Sequence, residues 1–385
     1  MSRSYDVVVV GTGAMGGAVV YQLAKAGARV LGIDRFAPPH VHGSTHGDSR
    51  ITRLAVGEGA HYVPLAIRSH ELWREIEART GEELLTATGG VVISVPGGRG
   101  QHGAGDFLAT TIAAAQAHGI THEVLDGSAL AERLAPFTLR GDERGMFEPS
   151  AGFVRPERAV AAQLRLAREH GADLRTGERV ISAGERRVVT DAGTYSAGTI
   201  VLAAGPWLPE LRPELASAFS VSRQVLHWFA LAPGTYEAHR DLPVFIWITG
   251  DGPEEFFYGF PAIDGADGGV KVASEQFRAA TTPAACGREV TVGESRQMHA
   301  RFLARRLPGL QARTVKATTC LYTSTADSGF AIGAHPRDAD LLIVSACSGH
   351  GFKHSAAIGE AVAQLALTGA SAIDLQPFAL GRGTS

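Results

Sequence analysis

Six residues near the amino end restrict this chain more than any others: Gly11-Thr12-Gly13-Ala14-Met15-Gly16. They follow residues 5–10, a run that ends in four valines and reads as a strand buried on both faces. They open residues 14–26, whose apolar spacing predicts a helix closed by Gly27. Residues 29–34 read as a second short strand, completing a β-α-β unit of about thirty residues. In such a unit Gly11 permits the tight turn, Gly13 lets the backbone approach a pyrophosphate, and Gly16 lets the helix pack on the strand. The helix start at Ala14 and Met15 offers free N–H groups and a partial positive charge to phosphates. Asp34 closes the second strand, where a carboxylate can take both hydroxyls of a ribose. Glycines also sit in turns for backbone reasons alone. Strand, triplet, helix, strand and acid in that order predict a bound dinucleotide.

Further along, residues 63–79 and 156–170 read as helices, the second with proline in its first turn and Gly171 after its end. Residues 89–95 and 199–204 read as strands, and 187–196 as a hairpin around Asp191-Ala192-Gly193. The stretch 221–323 is richer in strands and aromatics. Residues 341–345 read as a strand, followed by Ser348-Gly349-His350-Gly351-Phe352-Lys353 and a helix from about 353 to 367. Cofactor-type elements thus lie at the start, near Ile200 and at the end, around a segment of another kind. The expected fold is α/β mixed with α+β. A Rossmann-like cofactor domain takes residues 1–85, 150–220 and 324–385. An inserted substrate domain with a mixed, antiparallel sheet takes 86–149 and 221–323.

Composition sets outer limits. With 385 residues, 45% of them hydrophobic, the chain can build about two cores. A net charge of -3 and no basic run argue against nucleic acid or an anionic membrane surface. No apolar run approaches the roughly 20 residues of a membrane span, and no charged-then-apolar leader opens the chain. Three cysteines, Cys286, Cys320 and Cys347, are too few for a disulfide framework and suggest a reducing cytoplasm. No metal is expected.

The first glycine turn does not separate NAD from FAD. The second turn, around Gly349 and Gly351, also follows a strand and opens a helix, so a second helix N-terminus can face the cofactor. A dehydrogenase using NAD has no need of it. An isoalloxazine, negative when reduced, is stabilised by such a helix start, so the expectation narrows to FAD.

Residues 8–26, 38–68, 256–271, 320–323 and 348–364 together resemble the monomeric sarcosine oxidase and N-methyltryptophan oxidase family. These are FAD-dependent amine oxidases of the glutathione-reductase-like class, related to D-amino-acid oxidase. The most specific pieces are Gly43-Ser44-Thr45-His46-Gly47-Asp48-Ser49-Arg50-Ile51-Thr52-Arg53 and Ser348-Gly349-His350-Gly351-Phe352-Lys353. The resemblance implies a covalent link from Cys320, in Thr319-Cys320-Leu321-Tyr322-Thr323, to the 8α-methyl of FAD. It implies that Arg50 and Lys353 hold the substrate carboxylate, that Lys271 activates oxygen, and that Tyr258 and Tyr322 line the amine pocket. His46 would lie near the flavin and aid its attachment. Further cofactor contacts fall at Arg35, Ser44, Val180, Gly205 and Trp207, beside those of the two glycine turns.

Each residue has a plainer alternative. An arginine fork suits a carboxylate, yet Arg50 could form a surface ion pair with Asp48 or Glu58, and Arg53 would act as support. Lys353 at a helix start opposes the dipole, which points to a role, unless it extends into water. Lys271 sits in an apolar strand and could face outward by period-two alternation. Cys320 alone reads as a buried thiol, and Cys286 and Cys347 have no motif. His350 shapes its turn more readily than it moves protons.

One position departs from the family. Its members usually carry a histidine four residues after the oxygen-activating lysine; here that residue is Glu275. An acid in the pocket would oppose a plain carboxylate nearby or favour a second cationic group, unless the strand turns it to solvent. Residues 250–255 also look longer than their counterpart.

The expected function is oxidation of a secondary, N-methyl amino acid by oxygen, giving an aldehyde, a primary amino acid and hydrogen peroxide. The expected protein is a cytoplasmic monomer with only small-molecule partners: the amine and oxygen. The alternatives are an oxidase of a cyclic imino acid or glycated amino acid, a flavin dehydrogenase with another acceptor, and a non-enzymatic flavin sensor.

Overall fold

The protein, seen in a computed structural model, is described over residues 3–100, 105–277 and 279–382. Two eight-stranded sheets and a three-stranded one carry the architecture. The strand Arg3–Val10 is central in the first sheet, with parallel neighbours Thr194–Leu202 on one side and Val30–Asp34 on the other. Its valines alternate between two cores, Val7 and Val9 on one face and Val8 and Val10 on the other. That explains the absence of polar alternation in the sequence.

The helix Ala14–Lys25 lies on this sheet, and Gly27 follows it with φ +84°. It packs against Pro156–Glu169 and against the final helix Ser355–Thr368. A Cβ on Gly359 would come within 2.3 Å of the Ala18 Cβ, so only glycine lets these two helices approach. The helix Val63–Thr80 ends at Gly81, which has φ +71°. The strand Asp338–Ser345 joins the sheet parallel to Thr194–Leu202 and leads straight into the second glycine turn.

Two expected boundaries shift. The hairpin's second arm and the strand expected at 199–204 are one strand, Thr194–Leu202. Its first residues pair with Arg187–Thr190 and its last are buried beside Arg3–Val10, so one strand serves an edge and a core. Lys353 lies in a single 3-10 turn, Phe352–His354, which precedes the last α-helix.

The second sheet runs, in spatial order, Leu310–Ser324, Ser220–Leu231, Val270–Ala273, Phe256–Gly259, Val244–Ile248, Gly90–Ser94, Arg144–Glu148 and Glu123–Asp126. Its pairs are antiparallel except Val244–Ile248 against Gly90–Ser94. An aromatic core with Phe137, Phe229, Phe245, Trp247, Phe257 and Phe302 supports its outer part. The small sheet, Arg50–Thr52, Gly152–Val154 and Leu85–Thr86, fixes the stretch that carries Arg50 and Arg53. Among the described residues no helix is long and apolar enough to cross a membrane, and no cluster of His, Cys, Asp and Glu could hold a metal ion.

Candidate active site

A cavity of about 480 Å³ runs from the first glycine turn to the face of the second sheet. The triplet divides its labour. A Cβ on Gly11 would lie 2.5 Å from the Ala203 carbonyl oxygen, and one on Gly16 would lie 1.7 Å from the Gly11 carbonyl oxygen. Both are glycine because the chain itself leaves no room. A Cβ on Gly13 would meet only the Thr45 hydroxyl, at 3.7 Å, so this glycine has the open side. Gly11, Gly13, Ala14 and Met15 line the cavity, whereas Gly16 packs behind it. No side chain caps the helix start, so its N–H donors stay available.

Asp34 also lines this end, but its oxygens are already engaged. One accepts the Thr12 N–H at 2.8 Å and the other the Phe36 N–H at 2.9 Å. The Thr12 hydroxyl also donates to the first oxygen at 3.3 Å, so a ribose contact remains open at the second lone pair of the other. Arg35, Ser44, Val180, Gly205 and Trp207 line the same region. Sequence reasoning missed Phe36 and His40: the Phe36 ring lies 5.6 Å from that of Trp207 and 5.0 Å from that of His40, and all three line the cavity. The only signal for them was their place directly after Asp34.

At the other end Lys271 points inward, not outward, and is 2% exposed. All four residues of its short strand are buried, so alternation could not place it. Its ammonium donates to the carbonyls of Gly47 at 2.7 Å and Ser49 at 2.6 Å, and to the Ser49 hydroxyl at 3.3 Å. The faces of Phe260 and Trp228 lie 4.6 and 5.4 Å away. Burial pushes its pKa well down and Arg50 adds to this, while Asp48 and Glu157 oppose it.

Arg50 lines the cavity, and its hydrogen bonds are not those of the alternative ion pair with Asp48 or Glu58. It donates to the carbonyls of Ser49 at 2.9 Å and Ser44 at 2.8 Å, and its Nη2 is 3.7 Å from the Cys320 Sγ. Cys320 itself is fully buried and lies outside the cavity lining, whereas Cys347, given no role from sequence, lines it. Burial raises the Cys320 pKa and Arg50 opposes that. His46 is buried and also lies outside the lining. Burial, then Arg50 and Lys271, holds its pKa down to about 3, so its ring is neutral.

Lys353 is buried rather than solvated. It donates to the His350 carbonyl at 2.9 Å and sits 3.4 Å from Glu58, which also holds Arg53 at 2.8 Å. The companion of Lys353 is therefore Arg53, through Glu58, and not Arg50. Burial brings the Lys353 pKa down to about 8, with Glu58 opposing. Glu58 entered the sequence reading only as an ion-pair alternative; flanked by Gly57 and Gly59, it shows no periodic signal.

Glu275 faces the cavity and is 5% exposed. A Cβ on Gly349 would come within 2.9 Å of both its oxygens, and the Tyr322 hydroxyl is 3.4 Å from one of them. Burial pushes its pKa well up, and Glu58 adds to this against Lys353. Tyr322 also hydrogen-bonds Tyr258, and both line the cavity. His350 stacks on Phe330 at 4.7 Å and reaches the Ser328 carbonyl at 3.1 Å, which holds its turn. Gly351 is pinned like Gly16: its Cβ would lie 1.6 Å from the Ala346 carbonyl oxygen.

A dinucleotide cradle that continues into a cavity with two buried lysines defines a class. The chain belongs to the FAD dependent oxidoreductase family, whose pattern matches residues 6–365. Within it, the chain is 40% identical to a monomeric sarcosine oxidase of Streptomyces avermitilis, covering 97% of this chain and 96% of that one. It is 34% identical to an N-methyl-L-tryptophan oxidase of Yersinia pestis, covering 98% and 99%. Among solved structures, NikD, an unusual amino acid oxidase essential for nikkomycin biosynthesis, superposes with a TM-score of 0.83 at 26% identity over 98% of each chain.

Proposed function

We propose that this protein is an FAD-dependent oxidase of secondary amino acids, N-methylated ones first. The observation that carries the reading is the pairing, in one cavity, of two buried lysines, Lys271 and Lys353, with a helix start and a glycine-led 3-10 turn that no side chain caps. An anionic dinucleotide fits this donor set. Gly11, Gly13, Ala14, Met15, Asp34 and Arg35 would hold its adenosine and phosphate end, and Gly349 to Lys353 its reacting end. FAD, when bound, supplies the acceptor for two electrons from the C–N bond and their donor to oxygen.

The protein's own groups do the rest. Lys353, with Arg53 beside it on Glu58, holds the substrate carboxylate; Arg50 is assigned instead to the Cys320 side. Tyr258 and Tyr322 line the place of the amine, which reacts as its neutral form because an ammonium has no lone pair to assist. Lys271, held in its protonated form against burial by the Gly47 and Ser49 oxygens, places a positive charge where oxygen becomes negative. Hydrolysis of the resulting imine gives an aldehyde and a primary amino acid when a methyl was oxidised.

Four finer readings belong to this proposal. The first sheet with its helices forms a cofactor domain of the glutathione-reductase-like class, and the second sheet forms the substrate domain, divided as expected from sequence. FAD is attached at Cys320 as an 8α-S-cysteinyl link, supported by the Thr319–Thr323 motif and by Arg50 next to the thiol. His46 stays near that link as a neutral ring. The protein works as a cytoplasmic monomer.

The deciding experiment is a panel of sarcosine, N-methyltryptophan, proline, pipecolate and a glycated amino acid with peroxide detection. Oxidation of the N-methyl compounds with peroxide release supports the reading. Flavin reduction without peroxide would make the protein a dehydrogenase, and no reduction by any amine would make it a binding protein.

A further inference from the structure

The turn that holds Lys271 is unusual in its own right. The Ser49 N–H donates to the Gly47 carbonyl at 2.8 Å, closing a three-residue turn over Asp48. Gly47 has φ +98° and Asp48 has φ +67°. Such a γ-turn with a left-handed central residue is rare and strained, more so when that residue is not glycine. The strain has a geometric return, because it turns the Gly47 and Ser49 carbonyls onto one ammonium, that of Lys271.

What grips the turn comes from far away in sequence. Glu157 lies in the first turn of the helix Pro156–Glu169. A carboxylate there ordinarily serves its own helix start. This one reaches across instead: its Oε1 accepts the Gly47 N–H at 2.6 Å and the Asp48 N–H at 3.1 Å. Lys316 adds a second hold through the Asp48 carboxylate at 2.6 Å. Glu157 does not line the cavity, so it reaches the chemistry through the turn and through its field on Lys271 and Arg50.

We propose that Glu157 is the positioning residue for Lys271: it clamps the Gly47–Ser49 turn whose carbonyls aim the ammonium into the cavity, and so governs the oxygen half of the reaction but not the amine half. The inference rests on the oxygen role given to Lys271 above. In that half, two electrons pass from reduced FAD to oxygen, which takes up two protons, one from the reduced cofactor and one from solvent, and leaves as hydrogen peroxide.

The test compares the flavin-loaded parent with Glu157→Ala, Glu157→Gln, Lys271→Met and the double variant Glu157→Ala/Lys271→Met. Stopped-flow absorbance follows anaerobic reduction by substrate and reoxidation by oxygen separately. Hydrogen exchange followed by mass spectrometry reads a peptide over residues 45–50. A displaced catalytic group costs about 10- to 100-fold. Glu157→Ala is expected to slow reoxidation by that factor, to leave reduction within about twofold, and to speed exchange at 47–49. Glu157→Gln keeps an oxygen that accepts both N–H groups and is expected to recover most of the rate. In the Lys271→Met background Glu157→Ala should slow reoxidation no further. Should Glu157→Ala not accumulate with flavin, Glu157→Asp, one methylene short of the turn, takes its place.

Equal loss of both half-reactions, additive effects in the double variant, or Glu157→Gln as slow as Glu157→Ala overturns the positioning role. Where Lys271→Met slows reoxidation and Glu157→Ala does not, the clamp fails alone. Where Lys271→Met leaves reoxidation unchanged, the oxygen role fails and takes the clamp with it.

Discussion

The walls around Lys271 and Lys353 present the same group, a buried ammonium, in opposite settings. Lys271 touches neutral oxygens and aromatic faces; Asp48 and Glu157 act on its charge through space and do not bond it. Lys353 meets a carboxylate directly, and that carboxylate is shared with Arg53. A buried cation with no partner in contact keeps its field for a charge that appears during reaction. A cation already paired, with a second cation on the same partner, can take an incoming carboxylate as a further charge-assisted contact. The contrast assigns Lys271 to transient charge and Lys353 to permanent charge, and it can be broken from either side.

The largest effect is expected at Lys271. Lys271→Met should slow reoxidation by oxygen about 10²- to 10³-fold, the usual cost of removing one fixed electrostatic contact at a developing charge. Anaerobic reduction by substrate should stay within a few-fold. Stopped-flow absorbance under the two conditions checks this, and a variant that reoxidises like the parent ends the contrast.

Lys353→Met should do the reverse. Loss of one charge-assisted hydrogen bond costs about 1.5–3 kcal/mol, or roughly 10- to 150-fold in kcat/KM. That loss should appear with amino-acid substrates and largely vanish with an N-methyl amine that lacks a carboxylate. Equal loss with both would remove Lys353 from carboxylate binding. The same lysine predicts a pH limit. Its pKa is brought down to about 8, so it is charged below that pH and neutral above it. A simple carboxylate competitor should therefore bind about tenfold more weakly for each unit above pH 8, read from the flavin spectrum. Affinity that rises above pH 8 would contradict the assignment.

How much of this the sequence carried follows the same geography. The dinucleotide end comes from one contiguous stretch, so the steric need for glycine at Gly11 and Gly16 could be read from spacing and matches what a Cβ at each would meet. The reaction end joins residues such as Lys271 and Gly47, which are 224 positions apart and which no periodicity relates. There the resemblance named lining residues but not who touches whom. It set Arg50 beside Lys353; both line the cavity, but Arg50 lies 3.7 Å from the Cys320 Sγ while Lys353 shares Glu58 with Arg53. Alternation failed for Lys271 because its strand is buried on both faces. Glu58, Phe36 and His40 lie in irregular segments, where neither period applies.

The smallest expected effect tests which side of the contrast Glu275 joins. It stands near both Glu58 and Lys353, so its charge decides the field a substrate carboxylate meets. Burial and Glu58 raise its pKa against Lys353, which favours the protonated, neutral acid. Glutamine is close in shape to that form. Glu275→Gln should accordingly change kcat/KM for a plain N-methyl amino acid by less than about threefold at neutral pH. An ionised Glu275 would behave otherwise. Removing a negative charge beside the carboxylate site would then tighten binding of a carboxylate competitor by about tenfold or more, and would weaken any substrate with a second cationic group. Competitor binding by parent and variant, titrated side by side, separates the two. Equal affinities leave Lys353 as the charge that selects the substrate, and a large gain for the variant makes Glu275 its counterweight.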